Sequence, residues 1–360
     1  MGGAVCGRSY LNPDVVNIIH FIYIILAFGL VIFIHEFGHF LVARRVGIFI
    51  EKFSLGFGPA LLKVKKDSTE FILSLIPFGG YVKMKGESPF EDTGDDDAFF
   101  SKSPFKRSLV VLAGPVNNFL LGFVIFCFTI WAGGVVIVQN KSAVGDVFVD
   151  SPAMRAGLKT GDKILSIDGN KLNSWDELAK AVHPNAEKEL AFLIERNGNV
   201  FEKKITPQLN PQEKIGLIGI TAPYERTRVP VYMAIIEAAD RSAAITILTL
   251  KFMIYAIGGK VKAEIAGPVG IASMMNRKLK QGWLAFAEMV ALISLNLGLI
   301  NLFPIPLLDG WHITIFAWEA ASKKFPSKKV YNAFQTAGVI IILSIIVFAT
   351  RSDLIRIFAK

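Results

Sequence analysis

The sequence predicts an α-helical multi-pass membrane protein: about four transmembrane helices, a membrane-re-entrant β-hairpin and a small inserted α+β domain. Three observations lead there. The 360 residues are 52% hydrophobic and only 19% charged, with a mean hydropathy of +0.47, too apolar for a water-soluble fold. Four stretches of roughly 20 residues, the length that crosses a bilayer, carry no Asp, Glu, Lys or Arg: Val15 to Ile34, Phe119 to Val138, Met289 to Leu308 and Val330 to Thr350. The segment between the second and third carries turn, strand and helix signals of its own.

The same composition excludes other classes. Gly (31 residues) shows no three-residue period, and apolar content is too high for disorder. The two cysteines, Cys6 in the N-terminal tail and Cys127 inside an apolar run, do not read as a disulfide pair. A net charge of +9 could signal nucleic acid, but the basic residues cluster beside apolar runs and are not interleaved with aromatics. That pattern belongs to membrane topology, so the expected partner is the lipid bilayer and no nucleic acid.

The first apolar stretch is too long for a signal-peptide core and no small-residue cleavage site follows it, so it reads as a retained span. Between the first two spans, Leu41 to Ser108 holds eleven Lys and Arg; between the last two, Lys323, Lys324, Lys328 and Lys329 crowd a short loop. By the positive-inside rule both loops are cytoplasmic, which puts both termini and Gln139 to Gly282 outside; Arg351, Arg356 and Lys360 weigh slightly against this. A fifth apolar stretch, Ser242 to Gly259, is interrupted by Lys251 and reads as an amphipathic helix at the outer interface. The expected division is therefore 1–138, 139–208, 209–283 and 284–360: two spans, an external module, a linker with the interfacial helix, and two further spans.

Within the module, Asp146 to Val149 reads as a strand and Ser151-Pro152-Ala153 opens a short helix that ends at Gly157. Lys163 to Ile167 is a strand before an Asp168-Gly169 turn, and Trp175 to Val182 an amphipathic helix. Leu190 to Arg196 pairs with Val200 to Ile205 through Asn197-Gly198. In the first cytoplasmic loop, Leu61 to Val64 and Glu70 to Ile76 flank a Lys66-Asp67-Ser68 turn, and Pro77 to Val82 continues apolar. A hairpin dipping back into the membrane, shielded by protein, fits these residues.

The chemistry lies in His35-Glu36-Phe37-Gly38-His39. On a helix, histidines at i and i+4 share a face and can both ligate zinc, with Glu36 placed to act on the attacking water. Three ionisable groups within five residues at the end of a span are costly unless functional. A catalytic zinc needs a third protein ligand. Position 45 is Arg, which excludes the metzincin histidine, and His20 and His183 are poorly placed. Asp309 closes the run Asn301-Leu302-Phe303-Pro304-Ile305-Pro306-Leu307-Leu308-Asp309-Gly310, where two prolines break the third span. Spacing alone leaves it as either a ligand or a solvated helix-end acid. The acidic run Glu91 to Asp97 lacks the spacing of a calcium loop.

These two motifs, together with Ile76 to Met84 and Ala113-Gly114-Pro115-Val116-Asn117-Asn118, resemble the site-2 protease family, in particular its bacterial RseP-type intramembrane zinc metalloproteases, from about Val31 to the C-terminus; Gly267-Pro268-Val269-Gly270 also matches. The resemblance implies Zn2+ held by His35, His39 and Asp309, with Glu36 as the general base. It places Asn301 against the substrate backbone or oxyanion, and the Gly79-Gly80 edge of the hairpin against an unwound substrate strand. The external module resembles a single PDZ domain, where proteobacterial members carry two. Trp311 stands where the family often has glycine. Implied partners are single-span membrane proteins already trimmed on the outer side by a site-1-type protease, such as anti-sigma factors and remnant signal peptides. The implied location is the bacterial cytoplasmic (inner) membrane, with HExxH near its cytoplasmic side. A catalytically idle PDZ-bearing scaffold or regulator is the alternative. A transporter is disfavoured by the lack of an inverted repeat, and a protease of soluble peptides would need a site open to water.

Overall fold

The computed structural model describes residues 13–90, 94–148, 150–210, 213–259 and 267–358. In chain order its elements are α1 (Pro13–Arg45), β1 (Ile50–Lys66), β2 (Thr69–Met84), α2 (Pro104–Gly133), β3 (Val135–Val138), α3 (Pro152–Arg155), β4 (Lys163–Ile167), β5 (Asn170–Lys171), α4 (Trp175–Val182), β6 (Leu190–Arg196), β7 (Asn199–Ile205), β8 (Gln208–Asn210), β9 (Ile215–Leu217), β10 (Tyr224–Thr227), α5 (Val231–Ile257), α6 (Pro268–Gln281), α7 (Trp283–Asn301), α8 (Asp309–Ser322) and α9 (Lys328–Phe358). The chain divides into two units, Met1–Ile130 with Pro230–Lys360, and Trp131–Val229. Cys6 and residues 91–93 lie outside the described residues.

In the first unit, four helices among the described residues are long and apolar enough to span: Val15–Arg45, Pro104–Gly133, Trp283–Asn301 and Lys328–Asp353. Each overlaps one of the four expected stretches, but the ends of the second and third are displaced. The second helix stops at Gly133 because Gly134 takes a positive φ of 76°, which glycine tolerates, and Val135–Val138 leaves as a strand. The third starts earlier, taking in Glu288, and ends at Asn301 ahead of Pro304 and Pro306. Along α9 the apolar side chains face outward, with Ile340 60% and Val347 67% exposed, as suits a lipid-facing helix. Asp353, near its end, is buried and accepts the backbone N–H groups of Gly267 (3.2 Å) and Gly270 (2.7 Å), tying the start of α6 to α9. Arg107, one of the basic residues on which the expected topology rests, is itself buried. It donates to Glu319 at 2.7 Å and lies 4.7 Å from the ring centroids of both Phe100 and Phe316.

α5 covers the stretch from Ser242 that reads as an interfacial helix. Arg241 donates to both oxygens of Glu288 (3.2 and 3.1 Å), and Thr249 donates to Asn296 Oδ1 (3.1 Å). The two ties are eight residues apart on both helices, so α5 runs parallel to the spanning helix α7.

The expected hairpin is also more than a hairpin. β1 and β2 turn back at Lys66-Asp67-Ser68-Thr69, with Asp67 (φ 48°) and Ser68 (φ 67°) left-handed as a two-residue turn requires. Both strands also bend: Lys52 to Leu55 pair on one side with Gly80 to Lys83 and on the other with Glu70 to Leu73, which in turn pair with Leu62 to Lys65. The result is a four-segment ribbon in the order 60–66, 69–74, 52–55, 80–84, antiparallel except where 52–55 runs parallel to 70–73, and its last segment has one edge unpaired within the sheet.

In the second unit, β5-β4-β6-β7 form an antiparallel sheet, with Phe192, Ile164 and Ile194 fully buried beneath α4. Asp168-Gly169 and Asn197-Gly198 make the expected tight turns with positive φ at both positions. Ser151 caps α3 by accepting the Met154 N–H, and Ser174 caps α4 by accepting that of Glu177. The unit is wider than 139–208: β3 pairs with β10, β8 with β9, and Val147 bridges Ile220 in place of a strand at 146–148. Val149 lies outside the described residues.

Asp162, 1% exposed, accepts from Arg196 Nε (2.6 Å) and Nη2 (2.8 Å) and from the Lys159 N–H (2.8 Å). Burial opposes its charge, yet these donors outweigh burial and hold the carboxyl below its usual range. The stabilisation is therefore complete above about pH 4 and lost as pH falls through the lowered value. Asp162→Asn should lower the module's melting temperature at neutral pH, with the deficit shrinking as the wild type is acidified below about pH 4; an unchanged melting temperature would refute it.

Candidate metal centre

HExxH occupies the C-terminal part of α1, where 3.6-residue periodicity stacks His35 on His39. Both are buried, at 7% and 8% exposure. The rings face the start of α8, where Asp309 stands after the proline break. His35 Nε2 lies 3.1 Å and His39 Nε2 3.6 Å from Asp309 Oδ2, and the two Nε2 atoms are 3.2 Å apart. The structure thus answers what spacing left open for Asp309: it is a half-buried acid turned onto the two histidines and away from solvent.

This donor set fits zinc. Ligands about 2.0–2.1 Å from a tetrahedral ion lie roughly 3.3 Å from one another, which is the spacing of these three atoms. Asp309 Oδ2 is buried without a hydrogen bond of good geometry, and acceptor atoms converging on one point are best satisfied by a cation.

α2 provides the second layer. His39 Nδ1 donates to the Val110 carbonyl at 2.9 Å, and Asn118, fully buried, sets its amide nitrogen 3.2 Å from His35 Nδ1. Gly114 lies between the two histidines: a Cβ there would collide with His39 Nε2 and stand 2.5 Å from His39 Cε1 and 2.8 Å from His35 Cε1. That close approach accounts for the glycine of Ala113-Gly114-Pro115.

The remaining predicted residues converge on one cavity of about 400 Å³, which His35, Glu36, His39, Asp309 and Asn301 share with the segment Gly79 to Val82. Asn301 Nδ2 lies 3.3 Å from His35 Nε2, on the side of the converging donors. A Cβ on Gly80 would stand 3.1 Å from Glu36 Cγ, and the Val82 backbone N–H is directed to the Glu36 carboxylate. Val82, and with it Gly80, therefore turns its polar backbone toward the cavity, along the unpaired edge of the ribbon. Leu307, also lining the cavity, has a φ of 81°, costly for a side chain of its size and a mark of the tight Pro304 to Asp309 loop.

Sequence reading missed several neighbours. Glu87 and His312 line the same cavity; burial lowers the His312 pKa and favours its neutral ring. Val110 acts through its carbonyl, which no side-chain motif can reveal. Trp311 turns instead to α9, its ring centroid 4.9 Å from that of Phe334. His20 bonds Asn276 at 2.8 Å, and His183 opens a short turn in the second unit. Asp95 and Asp97 pair with Lys85 at 3.0 and 2.8 Å, as a solvated loop would.

A membrane protein with two HExxH histidines and a distant aspartate converging on one point is, as a class, a membrane-embedded metallopeptidase. The chain belongs to peptidase family M50, the site-2 protease family, whose profile matches residues 23–345. It is 34% identical to a candidate zinc metalloprotease of Rickettsia conorii, over 93% of this chain and 98% of that one. It is 28% identical to the regulator of sigma-W protease RasP of Bacillus subtilis, over 93% and 98%. A solved PDZ domain of an SdrC-like protein from Listeria monocytogenes matches at 25% identity and a TM-score of 0.21, covering 24% of this chain and 90% of that one. The protein is accordingly an integral membrane zinc metalloprotease.

Proposed function

We propose that the protein is an intramembrane endopeptidase that cuts single-span membrane proteins after their outer part has been removed. The observation that carries this reading is the convergence of His35, His39 and Asp309 on one point beside an unpaired strand edge. In this reading those three residues hold the metal and Glu36 is the general base. Zinc held there supplies a Lewis acid that polarises the scissile carbonyl and makes water acidic. Glu36 takes the proton of the attacking water and delivers it to the leaving amine, so that one peptide bond and one water give a carboxylate and an amine. Asn301 donates its amide N–H to the developing oxyanion.

A transmembrane helix is uncut while its carbonyls stay locked in i to i−4 bonds. Pairing an unwound segment with the edge at Gly80 and Val82 replaces those bonds without exposing backbone to lipid. Gly80→Pro, which removes an edge donor and crowds Glu36, should therefore lower cleavage at least about tenfold while zinc content stays at the wild-type level. Undiminished cleavage would sink the strand-pairing step.

The module at 139–208, read as PDZ-like, either docks an extended peptide on a strand edge or excludes substrates with bulky outer domains. Deleting it separates the two, because a lost filter widens the substrate range and a lost dock narrows it. The topology we favour puts this module and both termini outside the bacterial inner membrane and HExxH near its cytoplasmic side. The relative named for sigma-W regulation supports anti-sigma factors as one substrate class, with remnant signal peptides as another and an upstream site-1-type protease acting first. The test is cleavage, by the purified full chain in lipid vesicles, of a single-span substrate with and without its outer domain. Cutting of the truncated form within its apolar segment supports the reading; no cutting of either by zinc-loaded protein favours the idle scaffold.

A further inference from the structure

We infer that Asn118 is a positioning residue for the metal centre, selecting through its side-chain amide which nitrogen of His35 carries the proton; this rests on His35, His39 and Asp309 being the zinc ligands. The two histidines are anchored by different chemistry. His39 Nδ1 faces the Val110 carbonyl at 2.9 Å, which can only accept. His39 is therefore fixed with its proton on Nδ1, and its Nε2 lone pair always points into the centre. His35 Nδ1 faces the Asn118 amide at 3.2 Å, which can donate through Nδ2 or accept through Oδ1.

As the residues stand, His35 Nε2 is 3.1 Å from a carboxylate oxygen, 3.2 Å from the His39 lone pair and 3.3 Å from the Asn301 amide nitrogen. The two nearer atoms are acceptors, one of them charged, against a single more distant neutral donor, so the proton of His35 belongs on Nε2, Nδ1 is an acceptor, and the amide nitrogen of Asn118 donates to it. Its Oδ1 is then buried without a partner. Ligation by His35 Nε2 needs the opposite tautomer, with the proton on Nδ1. A half-turn of the Asn118 amide brings Oδ1 round to accept it. The backbone about the amide is held, since the Asn118 carbonyl accepts from Ser294 at 2.8 Å and the residue is fully buried, so the turn is confined to the side chain. Asn118 thus matches both states of His35, whereas an acceptor alone would pre-set the ligating one.

The test is zinc affinity of the full chain in detergent, measured by competition with a chelating dye, alongside the melting temperature of the metal-free protein. Asn118→Leu, similar in size but unable to hydrogen-bond, should weaken zinc binding about 10- to 100-fold. Asn118→Asp, which only accepts, should bind zinc at least as tightly as the wild type, a rescue that a role in packing alone would not give. Asn118→Leu binding within threefold of wild type, or Asn118→Asp falling as far as Asn118→Leu, overturns the inference and leaves the zinc site standing. Zinc loss by Asn118→Leu that merely tracks a lower metal-free melting temperature overturns it too. A wild-type chain that binds no zinc overturns the ligand assignment and the inference with it.

Discussion

Glu36→Gln should retain about one zinc per chain and lose proteolysis by about 10³-fold or more. Glu36 stands outside the group of three converging ligand atoms, so its replacement leaves the donor set intact. Glutamine keeps the size of the side chain and can still accept the Val82 N–H, but it has no carboxylate to receive the proton of water. The measurement is zinc content and cleavage of a truncated single-span substrate by both proteins. Equal cleavage by the two would remove Glu36 from the mechanism. Zinc lost along with activity would instead make Glu36 a ligand.

The second large effect is expected at Gly114, a residue with no chemistry of its own. An added methyl would press on both imidazoles, and neither can retreat freely, since His39 is tied to Val110 and His35 abuts Asn118. Gly114→Ala should therefore weaken zinc binding at least about 100-fold, equivalent to roughly 2.7 kcal/mol, and abolish cleavage. The second unit should melt as in the wild type. Zinc affinity within a few-fold of wild type would mean that α2 can shift away from α1, and that the packing around the histidines is looser than drawn here.

Much of this architecture was legible in the sequence because the bilayer restricts the possibilities. Uncharged runs of about 20 residues have one stable form in lipid, which is why four long apolar helices were expected where they occur, ending early where Gly134 and Pro304 intervene and starting early where charged residues extend the second and third. The turns at Asp168-Gly169 and Asn197-Gly198 were equally local, since each rests on the backbone freedom of its own residues. HExxH was legible because i and i+4 adjacency follows from one helix. Other features had no local signal. β1 and β2 read as a single hairpin, and only the further pairing of 52–55 with both 70–73 and 80–83 makes a four-segment ribbon. The neighbour of α5 had no local signal either, since it is tied to α7 by Arg241–Glu288 and Thr249–Asn296, pairs 47 residues apart.

By itself the sequence pointed to the class of protein, to four stretches long enough to span and to the two HExxH histidines with Glu36 between them, because these follow from periodicity, hydrophobic length and side-chain chemistry. Tertiary structure alone decided that Asp309, 270 positions after His39, completes the group, that Val110, Gly114 and Asn118 hold the imidazoles, and that the Gly80–Val82 edge opens onto Glu36. Each of those depends on which elements meet across the fold, and a chain of residue types carries no distance between segments that only packing brings together.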